Sequence, residues 1–273
     1  MADPRVVSQI RALALTMRRR AFRMVFEKQL GHPGGDFSAT DIMATLYGGV
    51  LRFDPKRPDW ADRDRFIMSK GHATGALYTA LAFSGYFDEA LLDTYMAPHS
   101  RLNGHPNRNY LPGVETNTGP LGHGFPVGVG IAIAGELQGK DFRTFVLVGD
   151  GEMQEGSNWE AAMSAGHRKL KNLTLIIDRN GLQQGAPTEE TSSLNPLWDK
   201  LRAFGFAVEQ VDGHTIEALY DVLSAPPGPR DLPLAVIANT VKGKGVSFME
   251  NKAAWHHGVP NEEQFAQAMK ELV

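Results

Sequence analysis

The segment Phe142-Arg143-Thr144-Phe145-Val146-Leu147-Val148-Gly149-Asp150-Gly151 decides the fold: an apolar run ends abruptly in Gly-Asp-Gly. The pattern recurs where residues 173–177, Leu-Thr-Leu-Ile-Ile, run into Asp178-Arg179-Asn180-Gly181. Strands apolar along their whole length are buried on both faces, the habit of a parallel sheet with helices above and below. A helical pattern over about 158–170 supplies the crossover between them. Both loops then open on the carboxyl edge of the sheet, where ligands bind in open α/β folds. Asp150 and Asn180 can therefore meet.

Toward the N-terminus, the small residues at 128–135 suit a tightly packed helix, and residues 97–124 are dense in Gly, Pro, Asn and His. Within that stretch Gly104, Gly113, Gly119, Gly122 and Gly124 predict close approach of the backbone to a ligand. Residues 73–84 read as a helix, and Phe66-Ile67-Met68 as a short buried strand opening into Ser69-Lys70-Gly71-His72. A Gly/Pro loop at 31–36 precedes a helix expected to start near Ser38 and to reach Leu51. Ile10, Leu13, Ala14, Met17 and Val25 mark one stripe of an amphipathic N-terminal helix. The arginines at 5, 11, 18, 19, 20 and 23 loosely match a transit peptide, but the helix is the better reading.

Toward the C-terminus the expected units are a helix at 197–204, a strand at 207–211, a helix at 216–223 broken by Pro226-Pro227-Gly228-Pro229, and a strand at 234–238. This alternation predicts an α/β class, with neither internal repeat nor linker.

With 273 residues, 42% hydrophobic and 22% charged, the chain is expected to form one large buried core rather than a disordered chain or a coiled coil. A net charge of -3 provides no general footprint for nucleic acid. The absence of cysteine removes disulfides, zinc–thiolate clusters and a cysteine nucleophile, and fits a reducing cytoplasm. No apolar run reaches membrane-spanning length, so no membrane association is expected.

Asp-Gly alone is above all a turn former. Pairing a carboxylate with an amide oxygen after successive buried strands is more informative. Magnesium takes near-octahedral oxygen ligands, few of them from protein and the rest from phosphates and water. Asp150, Asn180 and a nearby carbonyl would suffice beside a diphosphate, with Gly151 admitting the anion to the backbone.

Gly149-Asp150-Gly151 through Asn180 looks like the thiamine-diphosphate signature. Moreover, Gly31-His32-Pro33-Gly34-Gly35, Ser69-Lys70-Gly71-His72, Gly104-His105-Pro106, Thr118-Gly119-Pro120-Leu121-Gly122 and His257-Gly258-Val259-Pro260 resemble, in order, the N-terminal half of transketolases. The resemblance covers nearly the whole chain. It implies a thiamine-diphosphate-binding fold, with residues 1–273 as a single diphosphate-binding domain carrying an N-terminal helical segment. Magnesium would be held by Asp150, the Asn180 side chain and the Leu182 carbonyl. The cofactor would meet His72, Gly151, Asn180 and His257, with Gly119 and Leu121 along the path to its rings. His32, His105 and His257 would surround the reacting carbons, and Glu155 resembles the family's interface carboxylate.

The resemblance further implies a missing pyrimidine-binding domain. The chain then reads as the small subunit of a split transketolase, inactive alone, pairing in the cytoplasm with a C-terminal partner to form α2β2. Together they would move a two-carbon ketol unit from a ketose donor to an aldose acceptor, using sugars or sugar phosphates. Histidines suit the proton transfers because they titrate near neutrality. Two alternatives stand: the alpha subunit of a 2-oxoacid dehydrogenase E1 or related enzyme, which the His-Pro-Gly-Gly and Gly-His-Pro elements oppose, and a noncatalytic scaffold.

Other residues have plainer readings. His99, His167, His214 and His256 are expected to be solvated loop residues, and His123 stays unassigned. Lys242-Gly243-Lys244-Gly245 could attract phosphate or be a solvated loop. Met17, Met24, Met43, Met68 and Met163 read as core filler. The glycines at 122–130 follow no convincing strand, which opposes a dinucleotide loop.

Overall fold

The computed structural model describes residues 3–225 and 231–273. Helix α1, Pro4–Lys28, starts where the Asp3 side chain accepts from Arg5 N at 2.9 Å and Pro4 presets the first turn. Its stripe faces inward as expected: Ile10, Ala14, Met17 and Val25 are buried and Leu13 packs beside them. Arg18 is buried as well, so the arginines do not form a uniformly solvated face.

Helix α2, Pro33–Thr45, begins five residues before the expected start at Ser38. Proline at the first position needs no N–H partner, and His32 stands at the cap. Ser38 instead donates to the Gly35 carbonyl and to Asp178. Every residue of α2 is buried, and a π-helical turn, Leu46–Val50, continues it.

The sheet comprises β1 Arg65–Met68, β2 Thr144–Gly149, β3 Leu173–Arg179, β4 Ala207–Asp212 and β5 Leu234–Asn239. All pairs are parallel, in the order β1-β2-β3-β5-β4. Period-two alternation divides the side chains between two cores. Phe145, Leu147, Ile176 and Val236 face α1, α2, α3 (Thr74–Phe83) and α8 (Ile216–Ser224). Val146, Val148, Leu175, Ile177 and Ile237 face α4 (Gly124–Leu137), α5 (Gly156–Arg168) and α7 (Leu197–Ala203). Each fully buried aliphatic side chain contributes about 1.5–3 kcal/mol. Strand β4 lies at the sheet edge, where only Val208 is buried and its other residues are half-buried or exposed.

A third, smaller core joins Phe22, Phe37, Met249 and Trp255 to α9, Glu262–Glu271. That helix starts with an Asn261–Gln264 capping box. A short α6, Thr188–Thr191, follows β3. The Pro226-Pro227-Gly228-Pro229 break lies outside the described residues. Met163 is 59% exposed rather than core, whereas the other four methionines of that set are buried.

The glycine-rich stretch also differs from expectation. A Cβ at Gly113 would meet Leu81 and Tyr86, one at Gly122 would meet Glu155, and one at Gly124 would meet Ser69. Gly104 lies against Met96. These glycines admit other parts of the chain, and of the five only Gly119 lines the cavity described next.

Candidate active site

The register pairs Gly149 with Asp178, so β2 and β3 end level and their loops share one edge. Asp150 Oδ1 accepts from Gly151 N at 2.8 Å, and Oδ2 accepts from Gly181 N at 2.7 Å and Arg179 at 3.1 Å. The Asn180 side-chain oxygen accepts from Leu182 N at 3.1 Å. Asp150, Gly151, Asn180 and Leu182 all line one cavity of roughly 460 Å3. Burial, then the nearby Asp178 charge, pushes the Asp150 carboxyl above its usual range. A cation at this point would relieve that cost.

These residues suit the implied metal. Among the described residues no cluster of three or more His, Cys, Asp or Glu could hold an ion. A carboxylate, an amide oxygen and a carbonyl form the sparse oxygen set that magnesium takes beside phosphate. Gly151 completes the cradle, since a Cβ there would come within 3.0 Å of Gln183.

Three groups that the sequence reading left without a role hold the loops together. Lys70 Nζ donates to Asp178 at 2.5 Å and to the Gly35 carbonyl at 3.0 Å, linking the ends of β1 and β3 to α2. Thr240, after β5, donates to the other Asp178 oxygen. Glu152 accepts from Ser69 Oγ at 2.5 Å, Gly122 N at 3.0 Å and Gly149 N at 3.1 Å. It thereby ties the 118–122 loop, with Gly119 and Leu121 on the cavity wall, to β2. Gly119 takes φ +150°, and a Cβ there would lie 3.0 Å from the His105 ring.

The opposite wall is built of imidazoles. The His32 and His257 ring centroids are 3.8 Å apart, His32 and His72 5.2 Å, and His72 and His256 5.1 Å. His105 joins them from the 97–124 stretch, and it and His257 are the exposed members. Burial, followed by the neighbouring His257 and His105, lowers His32 to about 3. Burial and then Lys70 push His72 well down, and burial lowers His105. The His32 and His72 imidazoles are therefore neutral bases near neutral pH, able to accept or share a proton but costly to charge. The His32 Nδ1 atom is buried without a hydrogen-bond partner in the protein, as expected for a group awaiting a ligand.

Two of the histidines expected to be solvated are not. His256 lines the cavity and accepts from Lys242 Nζ at 2.8 Å, and burial, then Lys242, lowers it to about 3. His214 bridges Asp41 and Val241 N. His99 and His167 are exposed, as is His123, whose ring contacts the Leu121 carbonyl. Lys242 is only 2% exposed and donates to the Leu182 carbonyl at 3.2 Å, which removes the solvated-loop reading at that position. Burial and then Lys70 lower its ammonium to about 8. Glu155 is exposed at the cavity rim, where it precedes α5.

Comparison with known proteins agrees with this architecture. The family described as "Transketolase, thiamine diphosphate binding domain" matches residues 3–273. The chain is 44% identical over 255 residues to one subunit of the apulose-4-phosphate transketolase of Phocaeicola vulgatus, covering 93% of this chain and 90% of that one. It is 39% identical over 259 residues to the 6-deoxy-6-sulfo-D-fructose transketolase subunit SqwG of a Clostridium species, covering 95% and 94%. Among solved structures, transketolase from Leishmania mexicana superposes with a TM-score of 0.91 at 33% identity, over 100% of this chain and 41% of that chain. Transketolase from Campylobacter jejuni gives 0.91 at 30% identity, over 99% and 43%. The chain thus spans less than half the length of these solved transketolases. With a parallel sheet, a carboxyl-edge cavity and a family match across 3–273, the chain belongs to the transketolase family, as its thiamine-diphosphate-binding part.

Proposed function

We propose that the chain is the diphosphate-binding subunit of a two-subunit transketolase, and that residues 1–273 act as one diphosphate-binding domain. The observation that carries this reading is the convergence, in one cavity, of the Asp150–Asn180–Leu182 oxygen set with an imidazole wall kept largely neutral by burial. When bound, thiamine diphosphate supplies a carbon nucleophile and an electron sink for carbon–carbon cleavage. Asp150, Asn180 and the Leu182 carbonyl hold magnesium, and Gly151, His72 and His257 receive the diphosphate. Gly119 and Leu121 flank the path toward the rings. His32, His105 and His257 exchange protons with the carbonyl and hydroxyl oxygens of a ketose donor and an aldose acceptor.

The partner supplies the pyrimidine-binding domain, in an α2β2 assembly with Glu155 at an interface. Two observations support a partner: relatives of similar length are named as single subunits of transketolases, and this chain spans 41% of a solved transketolase. The substrates are sugars or sugar phosphates. The names of the relatives favour ketol transfer over 2-oxoacid decarboxylation. No described helix is long and apolar enough to cross a membrane, and we place the reaction in the cytoplasm. The test is to combine the chain with its C-terminal partner, thiamine diphosphate and magnesium, and to follow ketol transfer. Activity should require both chains. Turnover by this chain alone overturns the split site, and no cofactor binding even with the partner favours a scaffold.

A further inference from the structure

His214 lies outside the cavity, in the turn between β4 and α8, yet both of its ring nitrogens are engaged. Nε2 lies 2.8 Å from the backbone N–H of Val241, which can only donate, so Nε2 is an acceptor. The ring proton therefore sits on Nδ1 and is donated to Asp41 Oδ2 at 2.7 Å. Asp41, on α2, is held in turn by Arg18 of α1, with contacts of 3.0 and 2.5 Å, and Arg18 also donates to the Phe37 carbonyl at 3.2 Å. Asp41 is 6% and Arg18 8% exposed, so this network is screened from solvent.

The Arg18–Asp41 pair alone would fasten α1 to α2. What the imidazole adds is a hold on Val241, the residue immediately before Lys242. The turn is tied down further where Gly243 N donates to the Gly34 carbonyl at 3.0 Å and Asn251 N to the Lys242 carbonyl at 2.9 Å. From this frame Lys242 Nζ reaches the Leu182 carbonyl and His256 inside the cavity. Both partners are neutral groups, so an anion in the cavity would be the stronger partner for the ammonium.

We propose that His214 is a positioning residue. Its neutral imidazole, oriented by Asp41, fixes the Val241 peptide and so aims Lys242 at the anionic end of the bound cofactor. This rests on the cavity being the cofactor site. The experiment is calorimetric titration of magnesium thiamine diphosphate into the full chain together with its partner, with melting temperature recorded for each variant. Loss of one such hydrogen bond corresponds to about tenfold weaker binding in His214→Leu. His214→Gln, whose side-chain oxygen can accept from Val241, should stay within about threefold of native. Because His214 acts through Lys242, His214→Leu should add nothing in a Lys242→Met background.

Native-like affinity of His214→Leu, equal loss in the Gln and Leu variants, or penalties that multiply in the double variant would overturn the inference while leaving the cavity reading intact. Absence of binding by the native protein would overturn both. Nitrogen-15 spectra of the native chain need no substitution: a His214 ring protonated on Nδ1 supports the proposal, and one protonated on Nε2 contradicts it.

Discussion

Asp150 is buried, and its carboxyl is pushed up by burial and then by Asp178. A divalent ion reverses that balance, so cofactor and metal should bind together. Asp150→Ala should weaken magnesium-dependent binding of thiamine diphosphate by more than the roughly 10–100-fold typical of outer supporting groups, as calorimetry with and without chelator would show. Asp36 offers a separate test of burial. Desolvation raises its carboxyl from 3.8 to about 7, and its Oδ2 is buried without a partner. The folded chain keeps this proton up to about pH 7 and the unfolded chain releases it near 3.8, so the contribution is complete below about pH 4 and fades as pH rises through 7. The melting temperature of Asp36→Asn relative to native should therefore rise between pH 5 and pH 8, and parallel curves would contradict the assignment. Asp150 and Asn180 are legible in the sequence because strand pattern and loop position put them on the same edge. His214 and His256 are not, because a loop histidine carries no local sign of what will cover it, and Lys242 reads equally as a phosphate-attracting or a solvated loop residue.

At the scale of elements, α4 lies close to the sheet because Gly128 faces Val146. A Cβ on Gly128 would come within 2.3 Å of Val146 Cγ2. Gly128→Ala should cost about 1–3 kcal/mol by overpacking, measured by chemical denaturation. Val146→Ala should recover part of that loss, because two neighbouring changes that relieve one clash are not additive. Simple addition of the two penalties would show that the helix has moved instead. The buried strands are readable because both of their faces are apolar, and β4 is readable as a strand whose Glu209 and Gln210 mark it as less buried, whereas its place at the edge of the order comes only with the fold. The start of α2 is obscured although Pro33 is a good first helical residue, since Gly34 and Gly35 beside it read as loop. Helix α9 is legible in the sequence, as the Asn261 and Gln264 capping box followed by Phe265, Ala268, Met269 and Leu272 at helical spacing, although the expected elements stop short of it.

For the molecule as a whole, the carboxyl edge gathers loops from β1, β2, β3 and β5 with the start of α2, and no single segment forms the site. That convergence explains why scattered motifs can identify the cavity while its bracing, by Lys70, Asp178 and Glu152, emerges only with the tertiary structure. It also frames the expected dependence on a partner, because a chain that supplies one wall should bind the diphosphate yet turn over only when the remaining wall is added. The most direct test is diffraction from crystals grown with thiamine diphosphate and manganese in place of magnesium. The anomalous signal should fall about 2.1 Å from oxygens of Asp150, Asn180 and the Leu182 carbonyl, beside the diphosphate. A diphosphate bound elsewhere, or a metal that leaves Asp150 uncoordinated, would contradict the account.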